Sequence, residues 1–313
     1  MNAPRLSVIV AFHDMHREAV RTLFTLSTSY QRGVAPDEYE VIAVDVGSTP
    51  PLDEGLVRAQ GTGFRLARYP RTPSPVAAIN AAVRDSHGPA VMVCVDGARM
   101  LSPGIVRLAL AALGGFTDPL VATASWHLGP KVQHESMLEG YDQAAEDRLL
   151  ETVDWRSDGY RLFRIASLAR SSRNGWLGPI GESNCFAVCR ATWERLGGYD
   201  ERFTSPGGGL VNPDLYGRAC ELLGPPVMLL GEGTFHQFHG GVATNAPRAS
   251  RPVQSMAAEY ARVRGRDFAP PRDRSILFGG LVADALPWLE ESLGQTFGAA
   301  PPAAGPQANN SST

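Results

Sequence analysis

The sequence predicts an α/β protein with a mainly parallel sheet flanked by helices. In the N-terminal part of the chain, short apolar runs alternate with longer amphipathic segments, as they do where parallel strands are joined by crossover helices. Runs such as AVMVCV (90–95) are apolar at every position, which suits strands covered on both faces. A chain of 313 residues, 43% hydrophobic and 19% charged, has the makings of one large domain or two small ones.

In chain order, LSVIVAF (6–12), YEVIAVD (39–45), FRLARY (64–69) and AVMVCVD (90–96) read as strands, and the segments near 15–30, 75–86 and 103–113 as helices. Ligands of open α/β sheets bind beyond the carboxyl ends of the strands, so the residues at which these runs stop are the first candidates for chemistry. They are Phe12, His13 and Asp14 after the first run, Asp45 after the second and Asp96, in VDGAR, after the fourth. Aspartate is also a common turn former, so each of these acids, taken singly, reads equally well as a loop organiser.

The section 128–180 leaves the α/β rhythm, with helical stretches expected near 134–151 and 158–171. Trp126, followed by His127 at the end of ATASWHL, and Trp176 in NGWLG stand beside expected loops. An aromatic face suits a sugar ring, although core packing is the commoner role. Gly207, Gly208 and Gly209 in SPGGGL suit a loop that approaches or closes over a ligand, or a plain surface loop. A helix is expected over 212–222, with Asp214 in its first turn and Arg218 one turn later on the same face. Asp200, in GGYDERF, is expected to order the loop after it. Beyond residue 240, helices are expected near 251–264 and 281–293 around the proline-rich FAPPRDR, and the tail 297–313 has too little to bury to be ordered.

A formal net charge of −3 without a basic run gives no surface for nucleic acid. No apolar run approaches the roughly 18 residues of a membrane span, and MNAPRLSVIVAF lacks the parts of a signal peptide. A cytoplasmic protein is expected, with peripheral membrane association and oligomeric state left open. Cys94, Cys185, Cys189 and Cys220 show no zinc spacing and are expected to be reduced and structural. The G-x-S-x-G elbow, the G-x-x-x-x-G-K-[ST] loop and H-E-x-x-H are all missing from the sequence.

Taken together and in order, SVIVAFHDM, RTLFTLSTSYQ, YEVIAVDVGSTPP, SPVAAINAAVRDSHGPAVMVCVDGARMLSPG, CFAVCRATWERLGGYDERF and GGGLVNPDLYGR resemble family-2 glycosyltransferases, over residues 6–240. The resemblance implies a GT-A type, Rossmann-like domain over 1–245, with a nucleotide-binding half (1–127), an acceptor-binding half (128–245) and a helical C-terminal extension (246–296). It implies an inverting transfer of sugar from a nucleotide-sugar donor to a hydroxyl of a glycan or lipid-linked saccharide, in polysaccharide biosynthesis. Phe12, Asp14, Asp45, Asn80 and Asp96 fall on the donor side, and Trp126, Gly207, Gly208, Gly209 and Asn212 on the acceptor side or its loop.

The chain departs from the family pattern at three places. Val46 stands for the second acid after YEVIAVD, Ala98 for the second acid of D-x-D, and Val211-Asn212 for the acidic pair that usually supplies the base. A divalent metal, Mn²⁺ or Mg²⁺, would then rest on Asp96, with His236 and His239 of GEGTFHQFHGG as further candidate ligands. The histidines equally suit loop hydrogen bonds or direct phosphate contact. Two carboxylates remain as candidate bases, Asp214 and Glu182, although an acid in the first turn of a helix also favourably meets the helix dipole. Two other readings stay open. One is a degenerate relative that binds nucleotide sugar or glycan without turnover. The other is a sugar-phosphate nucleotidyltransferase, whose glycine- and arginine-rich phosphate loop AFHDMHRE lacks.

Overall fold

The computed structural model describes residues 3–239 and 252–297. All four strands expected in the N-terminal part form: β1 (Leu6–Phe12), β2 (Tyr39–Val46), β3 (Phe64–Tyr69) and β4 (Ala90–Cys94). They are joined by α1 (His16–Leu26), the short α2 (Glu54–Arg58) and α3 (Val76–Arg84). β5 (Arg99–Leu101), α4 (Ile105–Gly115) and β6 (Val121–Leu128) follow, then α5 (Gln133–Ser136), α6 (Gln143–Glu151) and β7 (Ala166–Leu168). The second half closes with β8 (Cys185–Cys189), α7 (Arg190–Leu196), α8 (Val211–Leu223) and β9 (Val227–His236), and beyond it lie α9 (Val253–Arg264), β10 (Ile276–Gly279) and α10 (Leu286–Phe297).

The 10-stranded sheet runs β10-β9-β6-β8-β4-β1-β2-β3, with β5 paired to β9 and β7 to β6. Along the main path, among the described residues, β8 alone is antiparallel to its neighbours, β4 and β6. That reversal positions the site. Because β8 runs the other way, the residues just before its start lie at the carboxyl end of β4 and beside the middle of β6. Cys185 stands opposite Cys94, and Val95 N–H donates to the Asn184 carbonyl (3.0 Å).

The strands β5, β9 and β6 are in register: Arg99 pairs with His236, Met100 with Phe235 and Leu101 with Thr234, while His127, Trp126 and Ser125 meet the same three residues from the other side. Successive side chains of a strand point to opposite faces. Met100, Phe235 and Trp126 are therefore core residues, whereas Arg99, His236 and His127 share the other face. Trp126 is 0% exposed, with ring centroids of Phe163 at 4.9 Å, Trp176 at 5.2 Å, Trp288 at 5.9 Å and Phe235 at 6.0 Å. This corrects the expectation that Trp126 stacks on a sugar: it has no free face to offer.

The structure departs from the sequence reading in three segments. The stretch 134–151, expected to be helical, is broken at Gly140 (φ 87°), which ends α5 and its following 3₁₀ turn before α6 begins. The stretch 158–171, expected to be helical, is a 3₁₀ turn over Gly159–Ile165 that runs into β7. Pairing of Ala166 with Leu128 in β6 draws the backbone out of the helix. Beyond 240 both expected helices form, and between them β10 extends the sheet in parallel beside β9, its four residues too few and too exposed to announce themselves. Of the tail 297–313, all but Phe297 lies outside the described residues. All four cysteines are free thiols, and among the described residues no helix is long and apolar enough to cross a membrane.

Because Trp126 fills the centre of an aromatic cluster, Trp126→Ala is expected to cost about 3–5 kcal/mol of stability. Urea unfolding monitored by circular dichroism checks this, and a loss below 1 kcal/mol would contradict the packing described.

Candidate active site

β4 ends at Cys94, and the chain turns through Asp96, Gly97 and Ala98 into β5. The glycine is demanded by packing, since a Cβ at Gly97 would stand 2.1 Å from Phe12 Cδ1. Thr22 Oγ1 of α1 donates to the Gly97 carbonyl (2.7 Å) and holds the turn down. The Asp96 carboxylate accepts from Ala98 N–H (3.0 Å) and from Arg99 Nε (3.0 Å). Ala98 is fully buried. Arg99 is only 6% exposed and is fixed a second time by donating from Nη1 to Ser125 Oγ (3.0 Å).

Beside Arg99, β9 ends on His236. Gln133, on α5, donates from Nε2 to the His236 carbonyl (2.9 Å) and accepts from His236 Nδ1 through Oε1 (2.7 Å). With its proton on Nδ1, His236 presents the Nε2 lone pair to the cleft. There His239 Nε2 lies 3.2 Å away and Asp96 Oδ2 3.9 Å away. Burial first, and the Arg99 charge second, keep His236 well below the usual histidine range. His239 is lowered by burial as well, and His127, also buried, is pushed down to about 4. All three are neutral imidazoles near pH 7.

One ligand atom from each of Asp96, His236 and His239 lies within 4.8 Å of the others. Two imidazole nitrogens 3.2 Å apart have the spacing of adjacent ligands on one metal at bonds of about 2.1 Å. The outer hydrogen bond from Gln133 is the kind that orients a metal-bound histidine. The residues therefore fit a divalent cation, and imidazole ligands suit Mn²⁺ better than Mg²⁺.

Glu182 reaches this cluster by way of the reversed strand. Its Oε2 accepts from Asn212 Nδ2 (2.8 Å), which also donates to the Ser183 carbonyl (3.2 Å), while Asn212 Oδ1 accepts from Tyr199 OH (2.9 Å). Burial raises the Glu182 carboxyl above the ordinary range and the Asp96 charge adds to this, against the Asn212 hydrogen bond and the Arg99 guanidinium. Asn212 thus carries no carboxylate itself but fixes one.

Asp214, the other candidate base, is placed differently. It accepts from Arg264 Nε (2.5 Å) and Nη2 (2.6 Å) and from Arg218 Nε (2.9 Å), and it is 2% exposed. Held by two guanidinium groups, it braces α8 against α9 and presents no oxygen to a substrate.

The remaining sequence candidates hold loops. Asp45, at the end of β2, accepts from Ser48 N–H and Leu52 N–H (2.9 Å each). Asp14, at φ 53°, accepts from Thr49 N–H (2.8 Å) and donates its own N–H to Ser48 Oγ (2.9 Å), tying the exits of β1 and β2 together. Since β2, β1 and β4 are adjacent and parallel, Asp45, Asp14 and Asp96 lie along one edge of the sheet. Asn80, on α3, exchanges two hydrogen bonds with the Tyr199 backbone (2.8 and 3.0 Å), which fastens the loop before Asn212. Gly207, Gly208 and Gly209 all take positive φ, and the chain just before them is anchored to α9 where Thr204 and Ser205 N–H donate to Glu259 Oε1 (2.8 and 3.1 Å).

Sequence reasoning did not single out Arg99 or Gln133. The signal for Arg99 was an arginine three residues after Asp96 at a strand start. Nothing in the sequence pointed to Gln133.

No family model matches this chain, and no curated protein does. Among solved structures it is similar to S. aureus TarS 1-349 in complex with UDP-GlcNAc, at 15% identity and TM-score 0.52 over 95% of this chain and 73% of that one. It is also similar to the mannosyltransferase PcManGT from Pyrobaculum calidifontis in complex with GDP-Man and Mn²⁺, at 18% identity and TM-score 0.47 over 94% and 70% of the two chains. The fold is GT-A-like.

Removing one member of a buried ion pair typically costs about 3–5 kcal/mol. Asp214→Asn is therefore expected to destabilise the chain by about 3 kcal/mol, read by chemical denaturation, and to leave ligand binding at the Asp96 turn unchanged.

Proposed function

We propose that the chain is a nucleotide-sugar-dependent, inverting glycosyltransferase of the family-2 kind, acting on a hydroxyl of a glycan or lipid-linked saccharide in cytoplasmic polysaccharide biosynthesis. The observation that carries this reading is the carboxylate of Glu182, held by Asn212 and near enough to Asp96 and Arg99 to respond to their charges, with Asp96 in turn grouped with two histidines on a GT-A-like sheet.

In this reading residues 1–127 bind the donor and 128–245 the acceptor. The loops shaped by Phe12, Asp14 and Asp45 form the floor for the nucleoside, and the Asp96 turn faces the diphosphate. Asp96, His236 and His239 would hold a divalent cation, which when bound offsets the negative charge growing on the leaving diphosphate. The acceptor oxygen attacks the anomeric carbon from the side opposite the diphosphate. The new C–O bond forms as the bond to phosphate oxygen breaks, and the hydroxyl proton passes to Glu182. Oε1 is the atom for this step, since the hydrogen bond from Asn212 occupies Oε2. A raised carboxyl pKa makes Glu182 a better base at neutral pH, and such a base contributes roughly 10²–10⁴-fold. One displacement with one base inverts the anomeric configuration.

Glu182→Gln is expected to cut transfer by roughly 10²-fold or more while calorimetry shows nucleoside diphosphate binding intact. Loss of binding and transfer together would remove Glu182 from the base role. Since the base works ionised, kcat/KM should fall as pH drops through the raised Glu182 pKa. The Asn212 hydrogen bond lowers that pKa, so in Asn212→Ala the acid limb of the profile should move to higher pH. A profile that stays in place would show that Asn212 does not tune the base. A wild-type protein that binds nucleotide sugars yet glycosylates nothing in a broad acceptor panel would favour a binding-only role.

A further inference from the structure

The reading above leaves Arg99 without a task, although it is the most tightly fixed cation of the site. Its Nε donates to Asp96 Oδ2 (3.0 Å) and its Nη1 to Ser125 Oγ (3.0 Å). Ser125 is itself immobilised by Thr234 Oγ1 (2.9 Å) and by Asn184 Nδ2 (3.2 Å). The side chain is more than nine-tenths buried, and β5 sets it directly across from His236. Its Nη2 has no hydrogen-bond partner among the described residues, and 8% of the side chain is exposed. A guanidinium tied at two corners and open at the third is a ready donor for an anion, since such groups make strong, directional hydrogen bonds to phosphate oxygens.

Its placement bears on the missing acid. Arg99 already occupies one oxygen of Asp96 and brings a full positive charge to the position that a cation would neutralise. A cation at Asp96, His236 and His239 has to share that carboxylate with the guanidinium and sit beside a like charge.

We propose that Arg99 contacts the donor diphosphate directly through Nη2 and supplies the positive charge that relatives with an intact D-x-D draw from a second carboxylate and its metal. The diphosphate therefore binds without a divalent ion, and the cation at Asp96, His236 and His239 adds only a modest increment. The proposal rests on the nucleotide-sugar reading and deepens it. Arg99 acts on the diphosphate, whereas Glu182 acts on the acceptor.

The test uses the full chain and calorimetry with UDP, GDP, ADP and dTDP, plus inorganic pyrophosphate as a base-free probe, each in EDTA and in Mn²⁺. Wild type should bind its best nucleoside diphosphate in EDTA within about ten-fold of its affinity in Mn²⁺. A hydrogen bond to a charged group is worth about 1.5–3 kcal/mol. Arg99→Met should thus weaken binding in EDTA by roughly 10- to 100-fold and recover most of it in Mn²⁺, because Asp96 is freed for the ion. Mn²⁺ affinity alone, followed by electron paramagnetic resonance, should rise in the same variant. Arg99→Lys keeps the charge but cannot span Asp96, Ser125 and phosphate together, and should fall between the two. It serves as the folded comparison if Arg99→Met fails to fold.

Wild-type binding that vanishes in EDTA, or an Arg99→Met and Arg99→Lys pair that bind in EDTA as wild type does, overturns the Arg99 role and leaves the glycosyltransferase reading standing. A wild type that binds no nucleoside diphosphate and no pyrophosphate in either condition overturns both.

Discussion

A β-strand cannot turn two successive side chains to the same face, and the site of this protein depends on that constraint applied to three strands in register. Along β5, β9 and β6, the row Met100, Phe235 and Trp126 goes into the aromatic core, which obliges the next row, Arg99, His236 and His127, to face the cleft. Packing on one side thus fixes the chemistry on the other. A slip of one residue in any of the three strands would bring its core side chain, Met100, Phe235 or Trp126, to the cleft face and carry Arg99, His236 or His127 into the core.

Much of the N-terminal half of the sheet was legible in the sequence because it is written in local terms. β1, β2 and β4 are mainly apolar runs with an acid at or just beyond their ends, Asp14, Asp45 and Asp96, and topology alone brings the ends of adjacent parallel strands together. The second half was less legible because its residues gain their meaning from long-range contacts. Asn212 looked like a lost carboxylate until the antiparallel β8 set Glu182 beside it. Asp214 had the right residue type near the right place, yet its partner Arg264 lies on a helix that sequence reasoning treated as an appendage. Trp126 and His127 were read as one aromatic pair at a strand end, when period two separates them into core and cleft. Arg99 carries no local signal of its role, since its partners Ser125 and His236 lie on other strands.

The electrostatics of the cluster are balanced without outside help. Burial holds His127, His236 and His239 neutral, so the imidazoles do not add to the charge of Arg99, and Asp96 offsets that charge by direct contact. The charges of this centre are thus paired and in position within the folded chain itself. Glu182 stands at the margin of this pair, desolvated enough to hold a proton more tightly than an exposed glutamate.

The brace between Asp214 and Arg264 links positions fifty residues apart in the chain. Arg218 shares the Asp214 carboxylate and Arg264 also reaches Asp200 (3.0 Å), so the charges form a network rather than an isolated pair, and exchange of Asp214 and Arg264 together for apolar residues would take the carboxylate partner from Arg218. The helix that looked like an appendage thus shares one buried charge network with the helix that carries Asn212.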